Sequence, residues 1–234
     1  MKTERLFMLI AGVTLVALGA ISLLGNIFFS TQAWRIWPIV VVLAGLGLTA
    51  PGFFGMSRRG LGAFFIPGIP VLTTGSILLY ASLTGHWGIW AEVWPLEVLG
   101  LALGFTLSAI FMRVAALAIP AFIIGLNGLL LGFCAITGLW QAWAILWPIE
   151  PLSVGLGLIV LSIVNKSAGV KLAATILFSI AGLGFFITAF ISMFNHTILR
   201  FAVPSLLVVT GLLLVGSFFT GQKAVPMERP TPTE

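Results

Sequence analysis

The sequence predicts an all-α integral membrane protein with eight transmembrane helices, arranged as four tandem, parallel two-helix hairpin repeats. Three observations predict this fold. Of the 234 residues, 60% are hydrophobic and only 7% are charged, whereas soluble domains carry about 25% charged residues. Apolar stretches long enough to cross about 30 Å of hydrocarbon recur along the chain. Glycines and Trp-Pro pairs also recur at a nearly constant spacing.

Each apolar stretch is expected to be a helix, because a helix satisfies its own backbone hydrogen bonds where lipid offers none. About 20 residues of helix are needed to cross the hydrocarbon. The predicted spans, in chain order, are 6–25, 36–56, 61–84, 94–112, 114–138, 147–164, 171–193 and 202–220.

The odd-numbered spans share a pair of small residues seven positions apart. The first members of these pairs are separated by 56, 57 and 57 residues, and the pairs are Gly12/Gly19, Gly68/Gly75, Gly125/Gly132 and Gly182/Ala189. Because residues seven apart lie on nearly one helix face, these glycines are expected to let neighbouring helices approach closely. They are the predicted packing residues of a helix bundle.

The even-numbered spans share a proline near their start, at Trp37-Pro38, Trp94-Pro95, Trp147-Pro148 and Val203-Pro204. A glycine follows seven residues after the proline at Gly45, Gly155 and Gly211, and nine after it at Gly47, Gly104 and Gly157. The two patterns together predict hairpin repeats over 1–58, 59–113, 114–168 and 169–222, and a disordered cytoplasmic tail over 223–234.

Basic residues predict the orientation. Cytoplasmic loops of membrane proteins carry an excess of Lys and Arg. With both termini in the cytoplasm, nine basic residues lie inside and only Arg35 and Arg200 lie outside. Their scatter between apolar runs argues against a nucleic-acid surface.

All eight tryptophans fall in the predicted outer connections or at the start of the returning helix: Trp34, Trp37, Trp87, Trp90, Trp94, Trp140, Trp143 and Trp147. An indole ring has an apolar body and one hydrogen-bond donor, which suits the headgroup boundary. We interpret the tryptophan-containing stretches as short interfacial helices whose indole rings form an aromatic belt. The alternative is an aromatic platform that binds a lipid headgroup, a glycan or a partner protein.

The stretch LIAGVTLVALGAISLLGNIFFSTQAWRIWPIVVVLAGLGL, residues 9–48, resembles the transmembrane repeat of the bacterial LiaI and LiaF membrane proteins. The resemblance is clearest over 6–56 and extends to 171–220. It implies a multi-pass protein of the bacterial cytoplasmic membrane, in some members a regulator of a stress-responsive sensor kinase, with no catalytic residues. The chain departs from those regulators because it has four hairpins and no predicted soluble domain.

Two carboxylates lie just inside predicted spans. Glu97 and Glu150 each follow a Trp-Pro pair by two residues, so both are placed just under the outer boundary. A carboxylate there caps the positive end of the helix dipole. The alternative is a paired cation or proton site that includes Asn127, although Asn127, Thr73 and Thr74 are expected mainly to form hydrogen bonds between helices.

No enzyme motif, cofactor motif or clustered metal ligands occur in the sequence. We therefore expect no enzyme, no cofactor and no metal site. The predicted partners are membrane lipids and another membrane protein. The leading function is a non-enzymatic cell-envelope protein that acts by helix association, as a scaffold, partner subunit or regulator. The alternative is a small-solute or cation transporter or channel, with the two carboxylates near its outer mouth.

Overall fold

The computed structural model of the protein describes residues 12, 15–16, 18–23, 25, 33–54, 59–195 and 199–219. These residues are almost entirely helical and contain no β-strand. The prediction of an all-helical chain is therefore confirmed for the part described. The first predicted span, 6–25, lies largely outside the described residues, and the predicted tail, 223–234, lies wholly outside them.

Seven long helices make up most of the described chain, and each overlaps one of the second to eighth predicted spans. They are α1 (Ile39–Phe54), α2 (Phe65–Thr84), α3 (Pro95–Met112), α4 (Ala118–Thr137), α5 (Ile149–Asn165), α6 (Ala168–Asn195) and α7 (Leu199–Phe219).

Five helical stretches are long and apolar enough to cross a bilayer: Trp34–Phe54, Arg59–Thr84, Pro95–Met112, Ala115–Thr137 and Ala168–Ile191. A sixth span results if Trp140–Leu146 and Ile149–Asn165, which are bent by 60°, together form one broken span. The apolar helix Phe201–Ser217 is shorter. The described chain thus has the five or six apolar helices of a multi-pass membrane protein, and the number eight stays a prediction.

Neighbouring long helices run antiparallel, as the contacts of α1 with α2 show. A Cβ added to Gly45 would lie 2.6 Å from the backbone nitrogen of Leu72, and one added to Gly75 would lie 2.7 Å from that of Val42. Later residues of α2 therefore face earlier residues of α1. Contacts between the other neighbouring helices have the same inverse order.

The long helices form an open row. In the part of the chain that the structure describes, the most extensive packing joins each long helix to the helices before and after it in the sequence. Smaller contact groups also bring α1 near α3 and α4 near α6. The two broad sides of the row expose large apolar side chains, which lipid accommodates but water does not; these include Leu103, Ile110, Leu129, Ile180, Leu183 and Leu212.

The connections at the two ends of the row differ in their turn residues. Helices α2 and α4 end at Gly85 and Gly138, whose φ angles of 74° and 72° are left-handed. Glycine adopts this conformation without steric cost. Helices α3 and α5 end at Arg113 and Lys166, which adopt left-handed φ angles of 58° and 51° despite their side chains.

A buried apolar cluster lies where α4, α5 and α6 meet. Phe178 and Phe185 of α6 are buried there against the Trp-rich connection and α7. A second contact group joins α1 to α3 through aromatic rings. The ring centroid of Phe65 lies 4.7 Å from that of Phe53 and 5.0 Å from that of Phe111.

Two glycines of α1 provide a matched test of this packing. Gly45→Ala is expected to destabilise the protein by about 1–3 kcal/mol, because the new methyl group would overlap the Leu72 backbone. Gly47→Ala is expected to be neutral or stabilising by up to about 1 kcal/mol, since nothing lies within 4 Å of its added Cβ. The free energy of unfolding in detergent micelles measures both effects. Equal changes in the two variants would contradict the α1–α2 contact.

Candidate functional site

Glu97 lies in the first turn of α3 and faces α2. Its Oε2 atom is 2.9 Å from the hydroxyl oxygen of Thr74. The same hydroxyl oxygen lies 3.0 Å from the carbonyl oxygen of Pro70, one turn earlier on α2. The other carboxyl oxygen of Glu97, Oε1, is buried and has no hydrogen-bond partner among the residues that the structure describes.

Glu150 occupies the matching place on α5 and faces α4. Asn127 Nδ2 donates a hydrogen bond of 3.2 Å to Glu150 Oε2 and another of 2.9 Å to the carbonyl oxygen of Ile123. The structure therefore brings together Asn127 and Glu150, which the sequence analysis had proposed as members of one polar site. It also gives Glu97 a partner, Thr74, that the sequence analysis treated only as a link between helices.

The two polar pairs are structural equivalents at an offset of 53 residues. Thr74 and Glu97 correspond to Asn127 and Glu150. The same offset relates the left-handed residues that end the helices and the short helices of the connections, Trp90–Val93 and Trp143–Leu146. The glycine pairs in the sequence are spaced 57 residues apart instead. The difference of four residues is about one helical turn.

Each carboxylate thus has a partner from its own predicted hairpin. The first pair lies between α2 and α3, and the second lies between α4 and α5. Since α3 and α4 also pack against each other, the two pairs occupy separate helix interfaces in the row. Among the described residues, the hydrogen bonds of Glu97 and Glu150 involve different partners. A single site that uses both carboxylates therefore stays a prediction.

The tryptophans lie at one end of the row. Because the helices alternate in direction, the connection from α2 to α3, the connection from α4 to α5 and the start of α1 all lie at the same end. That end holds all eight tryptophans: Trp34, Trp37, Trp87, Trp90, Trp94, Trp140, Trp143 and Trp147. Arg59, Arg113, Lys166 and Lys171 lie at the opposite end.

The Trp-rich connections are not single continuous helices. Each begins with a 3₁₀ turn, Trp87–Ile89 or Trp140–Ala142, continues with a four-residue helix, and breaks before the next long helix. Trp87 and Trp140 are about half exposed, at 50% and 48%. The predicted short interfacial helices are thus broken in the structure, and their predicted position at the headgroup boundary stays a prediction.

The predicted packing glycines differ in how closely they approach a neighbour. Gly68 and Gly75 lie against α1 so closely that a Cβ would come within 2.7 Å of a neighbouring atom. A Cβ added to Gly125, Gly132 or Gly182 would make ordinary van der Waals contacts of 3.5–3.9 Å. A Cβ added to Gly12 or Gly19 would meet nothing within 4 Å.

Several further glycines make closer contacts than most of the predicted ones. A Cβ on Gly104 would lie 2.6 Å from the carbonyl oxygen of Phe65, and one on Gly157 would lie 2.5 Å from Ile119 Cα. A Cβ would also come within 3.0 Å of a neighbouring atom at other glycines, among them Gly45, Gly100, Gly128, Gly155 and Gly184. Gly45 and Gly155 follow a Trp-Pro proline by seven residues, and Gly104 and Gly157 follow one by nine, a spacing that had served only to define the repeat.

Other chemistry-bearing residues remain apart from the carboxylates. Among the described residues, no group of three or more His, Cys, Asp or Glu side chains is positioned to hold a metal ion. Cys134 is buried, and its thiol donates a 3.4 Å hydrogen bond to the carbonyl oxygen of Leu139. His86 is exposed, and His196 lies outside the described residues.

Comparison of the chain with known protein families, curated proteins and solved structures gave no match. The functional argument therefore rests on the geometry of the described residues.

A double-mutant cycle tests the Asn127–Glu150 contact. Removing both side chains with Asn127→Ala and Glu150→Ala is expected to reveal a coupling energy of about 0.6–1.7 kcal/mol, as found for hydrogen bonds between membrane helices. Thr137 is the control, because its hydroxyl group donates to the carbonyl oxygen of Phe133 and accepts from the backbone N–H of Leu139, and neither hydrogen bond involves α5. The free energies of unfolding should be additive for Thr137→Ala with Glu150→Ala. Additivity in the Asn127 cycle as well would contradict the contact.

Proposed function

We propose that the protein is a non-enzymatic, multi-pass membrane protein of the bacterial cell envelope that acts through helix association, as a scaffold, partner subunit or regulator. The open row of helices is the observation that carries this proposal. Described helices that pack mainly in series leave apolar faces available to other membrane helices. Membrane helices associate by close packing of small residues and by hydrogen bonds.

A groove between α3 and α4 provides a place for such a partner. It has a volume of about 540 Å³, and Val160 of α5 closes one side. Its lining is apolar apart from Thr106 and is rich in small residues: Ala102, Ala109, Ala118, Ala121 and Gly125. Small residues allow the backbone of a neighbouring helix to come close, which favours a transmembrane helix of another membrane protein as the occupant.

The basic end of the row supports a cytoplasmic position for that end, since positive residues are retained on the cytoplasmic side. The tryptophan end then lies at the outer boundary, and both chain termini lie in the cytoplasm. Eight spans in four hairpins, together with the resemblance to LiaI and LiaF, complete the proposal. Membrane lipids are the remaining expected partners.

A transporter or channel for a small solute or cation is the second candidate. The observation that favours it is the buried, unpartnered Oε1 atom of Glu97. It has less support, because Glu97 and Glu150 lie at separate interfaces. The groove between α3 and α4 is also lined by apolar side chains, whereas a path for ions needs polar groups along its length.

Filling the groove tests the leading proposal. Leu103 of α3 lines the groove and is 49% exposed, whereas Ile180 of α6 lies outside the groove and is 46% exposed. Leu103→Trp is expected to reduce crosslinking to a stoichiometric membrane partner about tenfold, equivalent to about 1.4 kcal/mol of binding energy. Ile180→Trp is expected to leave it unchanged. Quantitative mass spectrometry after crosslinking in native membranes gives the readout.

Two results would contradict the proposal. Crosslinking only to lipid, with no stoichiometric protein, would assign the groove to acyl chains. A solitary protein that carries solute or cation flux in liposomes, with the flux lost in Glu97→Gln, would favour the transporter.

A further inference from the structure

We infer that Glu97 is a proton-binding site: its side chain is held as a neutral carboxylic acid between α2 and α3, a state that the hydrogen bonds of the equivalent pair 53 residues later, Asn127 and Glu150, do not require. The inference concerns the chemical state of one side chain and does not depend on helix association as the function. It rests on a count of the hydrogen atoms available at each polar pair.

The Thr74 hydroxyl group has one hydrogen atom and two neighbouring acceptors. Its oxygen lies 3.0 Å from the carbonyl oxygen of Pro70 and 2.9 Å from Glu97 Oε2. A hydroxyl donates only one hydrogen bond but accepts two. If Glu97 carries a proton on Oε2, it donates to Thr74, and Thr74 donates to Pro70. Both short contacts are then hydrogen bonds, which an ionised Glu97 does not allow.

The Asn127 amide group has two hydrogen atoms for its two acceptors. One is donated to the carbonyl oxygen of Ile123 and the other to Glu150 Oε2. An amide nitrogen supplies both hydrogens at once, so the Asn127–Glu150 contact needs no proton on Glu150. The replacement of threonine by asparagine between the two equivalent positions therefore changes the number of donors by one.

The described long helices that pack against α3 provide no charge to balance an ionised Glu97 carboxyl group. The two long helices that pack on α3 carry no charged residue, and their titratable groups are Tyr80 of α2 and Cys134 of α4. Glu92, in the short helix before α3, is exposed and of the same sign.

Arg35 lies at the tryptophan end of the row in a 3₁₀ turn that packs on α2, and it is exposed. The basic residues on α3 and on the elements that pack on it lie far from the Glu97 carboxyl group. Arg59, in the 3₁₀ turn that packs on α3, and Arg113, at the end of α3, both lie at the other end of the row. The buried Oε1 atom has no hydrogen-bond partner. An unpartnered carbonyl oxygen of a neutral acid is less costly to bury than an unpartnered charged oxygen.

A site of this kind releases its proton only when the α2–α3 interface opens enough for water to solvate Oε1. The proton-bound and proton-free forms of the protein therefore differ in the contact between these two helices. Glu97→Gln mimics the neutral acid in shape and charge, and it keeps a donor for Thr74.

Infrared difference spectroscopy of the full chain in lipid nanodiscs at neutral pH tests the inference. The spectrum of the unmodified protein minus that of Glu97→Gln is expected to show the C=O stretch of a protonated carboxylic acid. The matched difference for Glu150→Gln is expected to show the two carboxylate stretches. Carboxylate stretches lost in Glu97→Gln would overturn the inference, as would an acid band lost in Glu150→Gln.

Labelling with dicyclohexylcarbodiimide gives a second measurement that needs no variant. The acid O–H adds across one C=N bond of the reagent, so that a carboxyl oxygen bonds to the central carbon and the proton moves to nitrogen. The adduct then rearranges to a stable N-acylurea, and no atom is lost. We expect about tenfold more adduct at Glu97 than at Glu150, in proportion to the protonated fraction. Equal labelling of the two residues, or labelling of neither, would overturn the inference.

Discussion

Close backbone approach between neighbouring helices is the interaction on which the rest of this structure depends. Lipid and apolar side chains are equally favourable surroundings, so burial of apolar area does little to hold membrane helices together. Close packing at glycines stabilises the helix pairs instead. Gly45, Gly104 and Gly157 allow α1, α3 and α5 to contact the main chains of neighbouring helices. This contact sets the antiparallel register, and the register places Thr74 beside Glu97 and Asn127 beside Glu150.

The sequence predicted the positions of the described long helices, but it did not predict the detail of their packing, for one physical reason. Apolar length and the Trp-Pro pairs located α3, predicted over 94–112 and observed over Pro95–Met112. Which helix faces contact other helices is hard to predict from the sequence, because the helices are apolar on every side. In a soluble protein the apolar face identifies the core, but here lipid-facing and protein-facing residues are chemically alike. The open row could not be distinguished from a bundle by composition.

The candidate site was predicted in its members but not in its pairing. Glu97, Glu150 and Asn127 stood out because polar groups are rare in the spans. Thr74 was expected only to link helices, because the odd-numbered spans were aligned on their glycines, Gly68 and Gly125, which are 57 residues apart. The Trp-Pro pairs at 94–95 and 147–148 have the 53-residue offset that relates the two polar pairs in the structure. The backbone contacts identify which of the two offsets applies, because they fix the register of α2 on α3 and of α4 on α5.

The account depends most on the tryptophan connections lying at one end of an antiparallel row that spans the bilayer. Cysteines placed one at a time in a Cys134→Ser background test this, at Gly88 and Ala144 in the tryptophan connections and at Gly60 and Ala116 at the opposite end, all exposed. A membrane-impermeant maleimide is expected to label Gly88→Cys and Ala144→Cys in intact cells, and Gly60→Cys and Ala116→Cys only after permeabilisation. Labelling of Gly88→Cys and Ala144→Cys from opposite sides, or of all four from one side, would contradict the account.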